Sequence, residues 1–219
     1  TMEIKEPQIR RDEILFVQDP DFHSGNVCIV TGVGTGIGRA SAVAAAANGL
    51  SVVGLDINEQ EGHATVKKVE EFGGIMRFIR CDLTRDDEVV SAVDQAAGRG
   101  SIKYLLNIAG VQHIDPVESF PMDKYDLMMG LMLRAPFLLS KLTIPHMRSS
   151  ENGTGAIGNV ASAHAHVSTR NKPVYNMTKF GLRGLSQSIA AEGEGRIRSF
   201  TVSTGYVKTP LTLNQVPDQ

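Results

Sequence analysis

The sequence predicts a single α/β domain: a doubly wound parallel sheet in a three-layer αβα arrangement. Three observations predict it. Short, almost wholly apolar runs alternate with helical stretches of a dozen or so residues, the pattern of right-handed βαβ crossovers that cover both faces of a sheet. The 219 residues, 42% hydrophobic and 21% charged, suit one domain with a sizeable core and too little charge for a disordered chain. Twenty-two glycines and no tryptophan favour tight strand-to-helix turns over an aromatic-packed sandwich.

Residues 1–24 mix acids and bases, among them Glu3, Lys5, Arg10, Arg11, Asp12 and Glu13, and lack the apolar centre of a leader. They read as an arm packed on a domain formed by residues 25–219. The run from Val27 to Thr31 is the first strand, and a glycine cluster leads into the alanine-rich helix from Arg39 to Ala47. Ser51 to Asp56 is the second strand. Val66, Val69 and Phe72 give residues 59–72 helical spacing that stops at Gly73-Gly74. Met76 to Arg80, a helix from Asp86 to Ala97 and a strand from Tyr104 to Ile108 follow. A long helix is expected from Met122 to Ser149, bent at Pro136, which lacks a backbone donor. Gly155 to Val160, a helix from Val174 to Glu192 and a strand from Ile197 to Val202 complete the order.

A formal net charge of −2 leaves no basic excess for a nucleic-acid backbone or a membrane surface. The apolar stretch Leu127 to Leu139 is interrupted by Arg134 and is too short to span a bilayer. Cys28 and Cys81 have none of the spacing of a metal site or a disulfide framework, so no metal is expected. Buried reduced thiols point to a cytoplasmic protein.

Ligands of such sheets sit outside the carboxyl ends of the strands. There the first strand runs into Thr31-Gly32-Val33-Gly34-Thr35-Gly36-Ile37-Gly38, where backbone amides at a helix start can approach a pyrophosphate. Asp56 follows Gly38 by eighteen residues, spaced for a ribose contact. Its charge would repel a 2′-phosphate, which favours NAD over NADP. Tyr175 and Lys179, four apart, share a helix face, and Ser162 precedes the tyrosine by thirteen residues. A phenol of pKa about 10 needs a cationic neighbour to act near neutrality. Lys179 is placed to supply that charge, and Ser162 to hold a substrate oxygen.

With these residues in this order, the chain from about Gly25 onward resembles the short-chain dehydrogenase/reductase family, a Rossmann-type fold. The resemblance implies Ser162, Tyr175 and Lys179 as catalytic residues. It further implies that Gly32, Gly36, Ile37, Gly38, Asp56, Asp82, Leu83, Asn107, Ala109, Gly110, Tyr175, Lys179 and Val207 hold NAD. Gln112, His164, Lys172 and Gln215 resemble the anion clamp of the branch acting on D-3-hydroxybutyrate, so with Ser162 they are the candidate contacts to a small 3-hydroxy acid. Oxidoreduction of another small alcohol or ketone, or cofactor binding without catalysis, are the alternatives. The family's habit and the apolar stretch 127–139 imply a homotetramer or homodimer.

Three positions depart from the family. Met132 stands where an asparagine serves a water-mediated proton relay to the lysine, Ile108 replaces a second asparagine, and Thr204 precedes Gly205 in place of proline. The change at Met132 predicts slower proton exchange with retained cofactor binding. The family also continues past Thr209-Pro210-Leu211 with a substrate-covering lid and a last strand, which residues 25–219 are expected to lack.

Overall fold

A computed structural model describes residues 7–213. Six parallel strands, β1 (Asn26–Thr31), β2 (Ser51–Asp56), β3 (Ile75–Arg80), β4 (Ser101–Asn107), β5 (Gly155–Val160) and β6 (Ile197–Val202), form one sheet in the order β3-β2-β1-β4-β5-β6. The helices are α1 (Gly36–Ala47), α2 (Glu59–Glu71), α3 (Asp86–Ala97), α4 (Met122–Met129), α5 (Ala135–Ser149), α6 (Pro173–Glu192) and a short α7 (Pro210–Leu213). This is the doubly wound, Rossmann-type arrangement expected from the sequence.

Alternate residues of a strand point to opposite faces, and β1 shows the consequence. Val27 and Ile29 join the core with α3 and α5, whereas Cys28 and Val30 join that with α1 and α2. Fully burying each such side chain contributes about 1.5–3 kcal/mol. The thiols of Cys28 and Cys81 are pushed up to about 12, in each case chiefly by burial, so both stay protonated at neutral pH. Of the described part of the arm, Ile9, Ile14 and Phe22 pack on the α1 side, Phe22 edge-on to Tyr104, while Leu15, Phe16 and Val17 stay exposed.

Two expectations need correction. Strand β4 starts at Ser101, three residues before the predicted start, because the Lys103 ammonium is satisfied inside the fold. It donates to Thr154 Oγ1 at 3.0 Å, bonds Asn152, and lies 3.8 Å from the Asp21 carboxylate of the arm. The long helix, in turn, is interrupted ahead of Pro136 rather than bent at it. Gly130–Arg134 form a π turn in which the Ala135 N–H reaches back five residues to the Gly130 carbonyl. Pro136 then falls in the first turn of α5, where its missing N–H is tolerated. The whole span Met122–Ser149 is long and apolar enough to cross a membrane by length and composition, unlike the shorter stretch read from the sequence. Its Met128, Met132, Leu139 and Met147 are nevertheless buried in the domain.

Candidate active site

Helix α1 begins on the glycine turn, three residues before its predicted start, because Gly32 and Gly38 carry no side chains to hold it away from β1 and β4. A Cβ at Gly38 would stand 1.9 Å from the Gly32 carbonyl oxygen. Gly32 takes a left-handed φ of 71°, and a Cβ there would meet the Ala109 backbone at 2.8 Å. The start of α1 lines the cleft where strand order reverses between β1 and β4. Asp56 braces the turn: its Oδ2 accepts the Gly34 N–H at 2.8 Å and its Oδ1 the Asn58 N–H at 2.9 Å. Further lone pairs remain on both oxygens.

Two threonines missed by sequence reasoning hold this frame. Thr31 Oγ1 accepts the N–H groups of Ile108 and Ala109 at 2.9 and 3.1 Å, pinning the end of β4 to β1. Thr65 on α2 donates to the Val33 carbonyl at 2.7 Å and accepts from Arg39 Nε at 2.9 Å, while Arg39 also bonds the Gly34 carbonyl and pairs with Glu61. A threonine in an apolar strand or on a polar helix carries no sequence signal of such a role.

The cleft has two adjoining cavities that share Ile37, Ile108, Gly110, Thr209 and Leu211 as walls. The first, about 340 Å³, is lined by Gly32, Gly36, Ile37, Gly38, Asp56, Asp82, Leu83, Ala109 and Gly110 from the predicted cofactor set. Asp82 Oδ1 accepts both the hydroxyl and the N–H of Thr84, which holds its carboxyl below the ordinary range. The second cavity, about 400 Å³, brings together Ser162, Tyr175, Lys179, Gln112, His164, Lys172 and Val207. Asn107 lines neither. It is buried in the sheet and donates to Asn159 at 2.8 Å, so it supports the cleft floor instead of touching a ligand in it. Gln215 lies outside the described residues.

In the second cavity the Lys179 ammonium is 5.3 Å from the centre of the Tyr175 ring and donates to the Val160 carbonyl at 2.9 Å. The expected electrostatic help to the phenol does not dominate here. Burial raises the Tyr175 phenol above its ordinary value, partly offset by its hydrogen bond with Ser162, and lowers the Lys179 amine to about 8. Met132, from the π turn, is fully buried and lines the same cavity beside these two. The helix is therefore still distorted where the family's asparagine would stand, but the group there is a thioether that holds no water strongly. The ring of His164 packs edge-on to Tyr175 at 5.6 Å. Its Nδ1 lies 3.0 Å from Ser162 Oγ and its Nε2 2.9 Å from Thr169 Oγ1, so both nitrogens are engaged, whereas the sequence reading left them open to a substrate anion.

The family model for short chain dehydrogenases matches residues 26–219. A D-β-hydroxybutyrate dehydrogenase of Rhizobium meliloti (strain 1021) is 32% identical over 195 residues, covering 87% of this chain and 75% of that one. A D-threitol dehydrogenase of Mycolicibacterium smegmatis (strain ATCC 700084 / mc(2)155) is 35% identical over 196 residues, covering 88% and 75%. Among solved structures, a metagenomic short-chain oxidoreductase in complex with NADP superposes with a TM-score of 0.79 at 28% identity, covering 85% of each chain.

Proposed function

This chain belongs to the short-chain dehydrogenase family, whose members are oxidoreductases acting on alcohol groups with a nicotinamide cofactor, and we propose that it interconverts D-3-hydroxybutyrate, or a similar small 3-hydroxy acid, and its 3-oxo acid with NAD. The first cavity fits the dinucleotide. Gly32 and Gly38 let backbone close on backbone at its floor, where a Cβ would collide, the N-terminal end of α1 lines it as suits a pyrophosphate, and Asp56 has lone pairs for ribose hydroxyls while its charge disfavours a 2′-phosphate. When bound, the nicotinamide accepts or returns the hydride. Tyr175 exchanges the proton of the substrate oxygen, Ser162 donates a hydrogen bond to that oxygen, and Lys179 braces the phenol from one helical turn away.

The observation that carries the substrate reading is the meeting of Gln112 and Lys172 with the catalytic three around one cavity. Gln112 Nε2 is buried without a partner among the described residues, and a buried donor left unpaired is costly. A carboxylate satisfied by Gln112 and by the Lys172 charge would place the 3-carbon between Ser162 and Tyr175. Lys172→Ala should then lower kcat/KM for hydroxybutyrate by about ten- to a hundredfold, the loss of a charge-assisted hydrogen bond. An uncharged ketone should be spared. Equal losses for both would overturn the clamp, and equal affinity for NAD and NADP in the unmutated protein would overturn the role of Asp56.

Met132 beside Lys179 favours a second reading, cofactor binding without turnover. NADH formation with D-3-hydroxybutyrate supports the first reading, whereas no turnover of it, of threitol or of cyclic alcohols, with NAD still bound, supports the second. Exposed Phe137, Met177 and Phe180 on α5 and α6 support a homo-oligomer formed through these helices, and buried thiols support a reducing, cytoplasmic setting.

A further inference from the structure

The hydrogen bonds of the second cavity continue past the catalytic residues to the surface. Ser162 Oγ, which lines the same cavity as the Tyr175 phenol, lies 3.0 Å from His164 Nδ1, the His164 ring packs 5.6 Å from the Tyr175 ring, and His164 Nε2 lies 2.9 Å from the hydroxyl of Thr169, an exposed residue. Asn176 on α6 fixes the outer end by donating to the Thr169 carbonyl at 3.2 Å. The lysine side offers no comparable path. Lys179 is buried, its hydrogen bond among the described residues goes to the Val160 carbonyl, and the Met132 thioether shares its cavity.

We propose that His164 is a positioning residue that relays the catalytic proton between Tyr175 and solvent along the chain Tyr175–Ser162–His164–Thr169. The inference rests on the dehydrogenase reading. In the oxidising direction the alcohol carbon loses a hydride to the nicotinamide and the hydroxyl proton goes to the Tyr175 phenolate. The resulting phenol passes a proton to Ser162 Oγ as Ser162 passes its own to His164 Nδ1. The proton on Nε2 leaves through the Thr169 hydroxyl to water, and the phenolate is restored. The imidazole resets when Nε2 takes a proton from water and Nδ1 yields its own to water entering the open cavity. The relay needs His164 neutral with its proton on Nε2. Burial, with the Lys172 ammonium nearby, lowers its pKa and keeps it neutral; Lys172, just ahead of α6, and Tyr175 on α6 face it.

The test combines nitrogen NMR with the kinetics of two variants. In the unliganded protein, nitrogen NMR of His164 should report the Nε2–H tautomer; the Nδ1–H tautomer would overturn the relay whatever the turnover. His164→Ala should lower kcat about a hundredfold with little change in the fluorescence-measured affinity for NADH. Added imidazole should restore most of the loss in kcat without altering KM. Thr169→Val, which leaves the Ser162 contact intact, should give a smaller loss in the same sense. A His164→Ala enzyme that keeps its kcat, or loses it without rescue by imidazole, overturns the relay while the dehydrogenase reading stands. An unmutated protein that reduces no cofactor with any alcohol overturns the dehydrogenase reading, and the relay falls with it.

Discussion

The two halves of the cleft are built on opposite principles. The first cavity is shaped by what is missing, since the glycine turn lets backbone come within reach of backbone and Asp56 is spent largely on bracing that turn. The second is shaped by polar groups drawn out of water, a buried ammonium and serine hydroxyl with a half-buried phenol and imidazole. Steric exclusion leaves little latitude, whereas a desolvated polar network can be rewired by one residue in its wall. This difference explains how Met132 can alter the catalytic half while the glycine turn stays as the family has it.

Changes confined to one half test that separation. The largest effect is expected from Tyr175→Phe, which should lower turnover by about a thousandfold and leave the dissociation constant for NADH unchanged in a fluorescence titration. Loss of cofactor binding in this variant would show that the halves are not separable. Gly38→Ala should do the reverse. The new Cβ forces α1 away from the Gly32 carbonyl, costing about 3 kcal/mol of stability and most of the cofactor affinity. An unchanged melting temperature would refute the close contact.

The smallest change in stability is the most specific. Lys179→Met should abolish turnover but stabilise the protein, because the native state holds a charged amine in a poor solvent. The amine is lowered from 10.5 to about 8, so between these values the unfolded chain binds more protons and native stability rises with pH. The penalty is thus full below about pH 8 and gone above about 10.5. It amounts to roughly 3 kcal/mol, and leaving the Val160 carbonyl unpaired offsets part of it. Melting curves of the two proteins should therefore differ most at pH 7 and converge toward pH 10.5. A difference independent of pH would mean that the lysine is uncharged, or well solvated, throughout.

The sequence made the first half legible because glycines and apolar runs report steric need directly. The order of strands and helices along the chain, the turn and the spacing of Asp56 followed from periodicity and spacing alone. Ser162, Tyr175 and Lys179 were legible as residues, but their balance was not, since the depth of burial that lowers Lys179 and raises Tyr175 depends on packing between α4, the π turn and α6. Lys103 hid the start of β4 because a lysine reads as surface until its partners Asp21 and Thr154, far away in sequence, are brought to it. Asn107 matched a cofactor motif yet turns into the sheet toward Asn159.

The π turn also fixes how the long helix tolerates changes in length. A wider turn accommodates one residue more than the α-helix on either side, so α4 and α5 keep their registers through a local surplus. Removing one residue from 130–134 would leave an uninterrupted α-helix that is locally more regular. Each residue of an α-helix turns it by about 100°, so shortening an ordinary stretch would rotate one half against the other and expose Met128 or Leu139. A deletion inside the surplus would cost far less in that respect, which makes this segment the place where a homologue can be one residue shorter and still keep both ends of the helix seated.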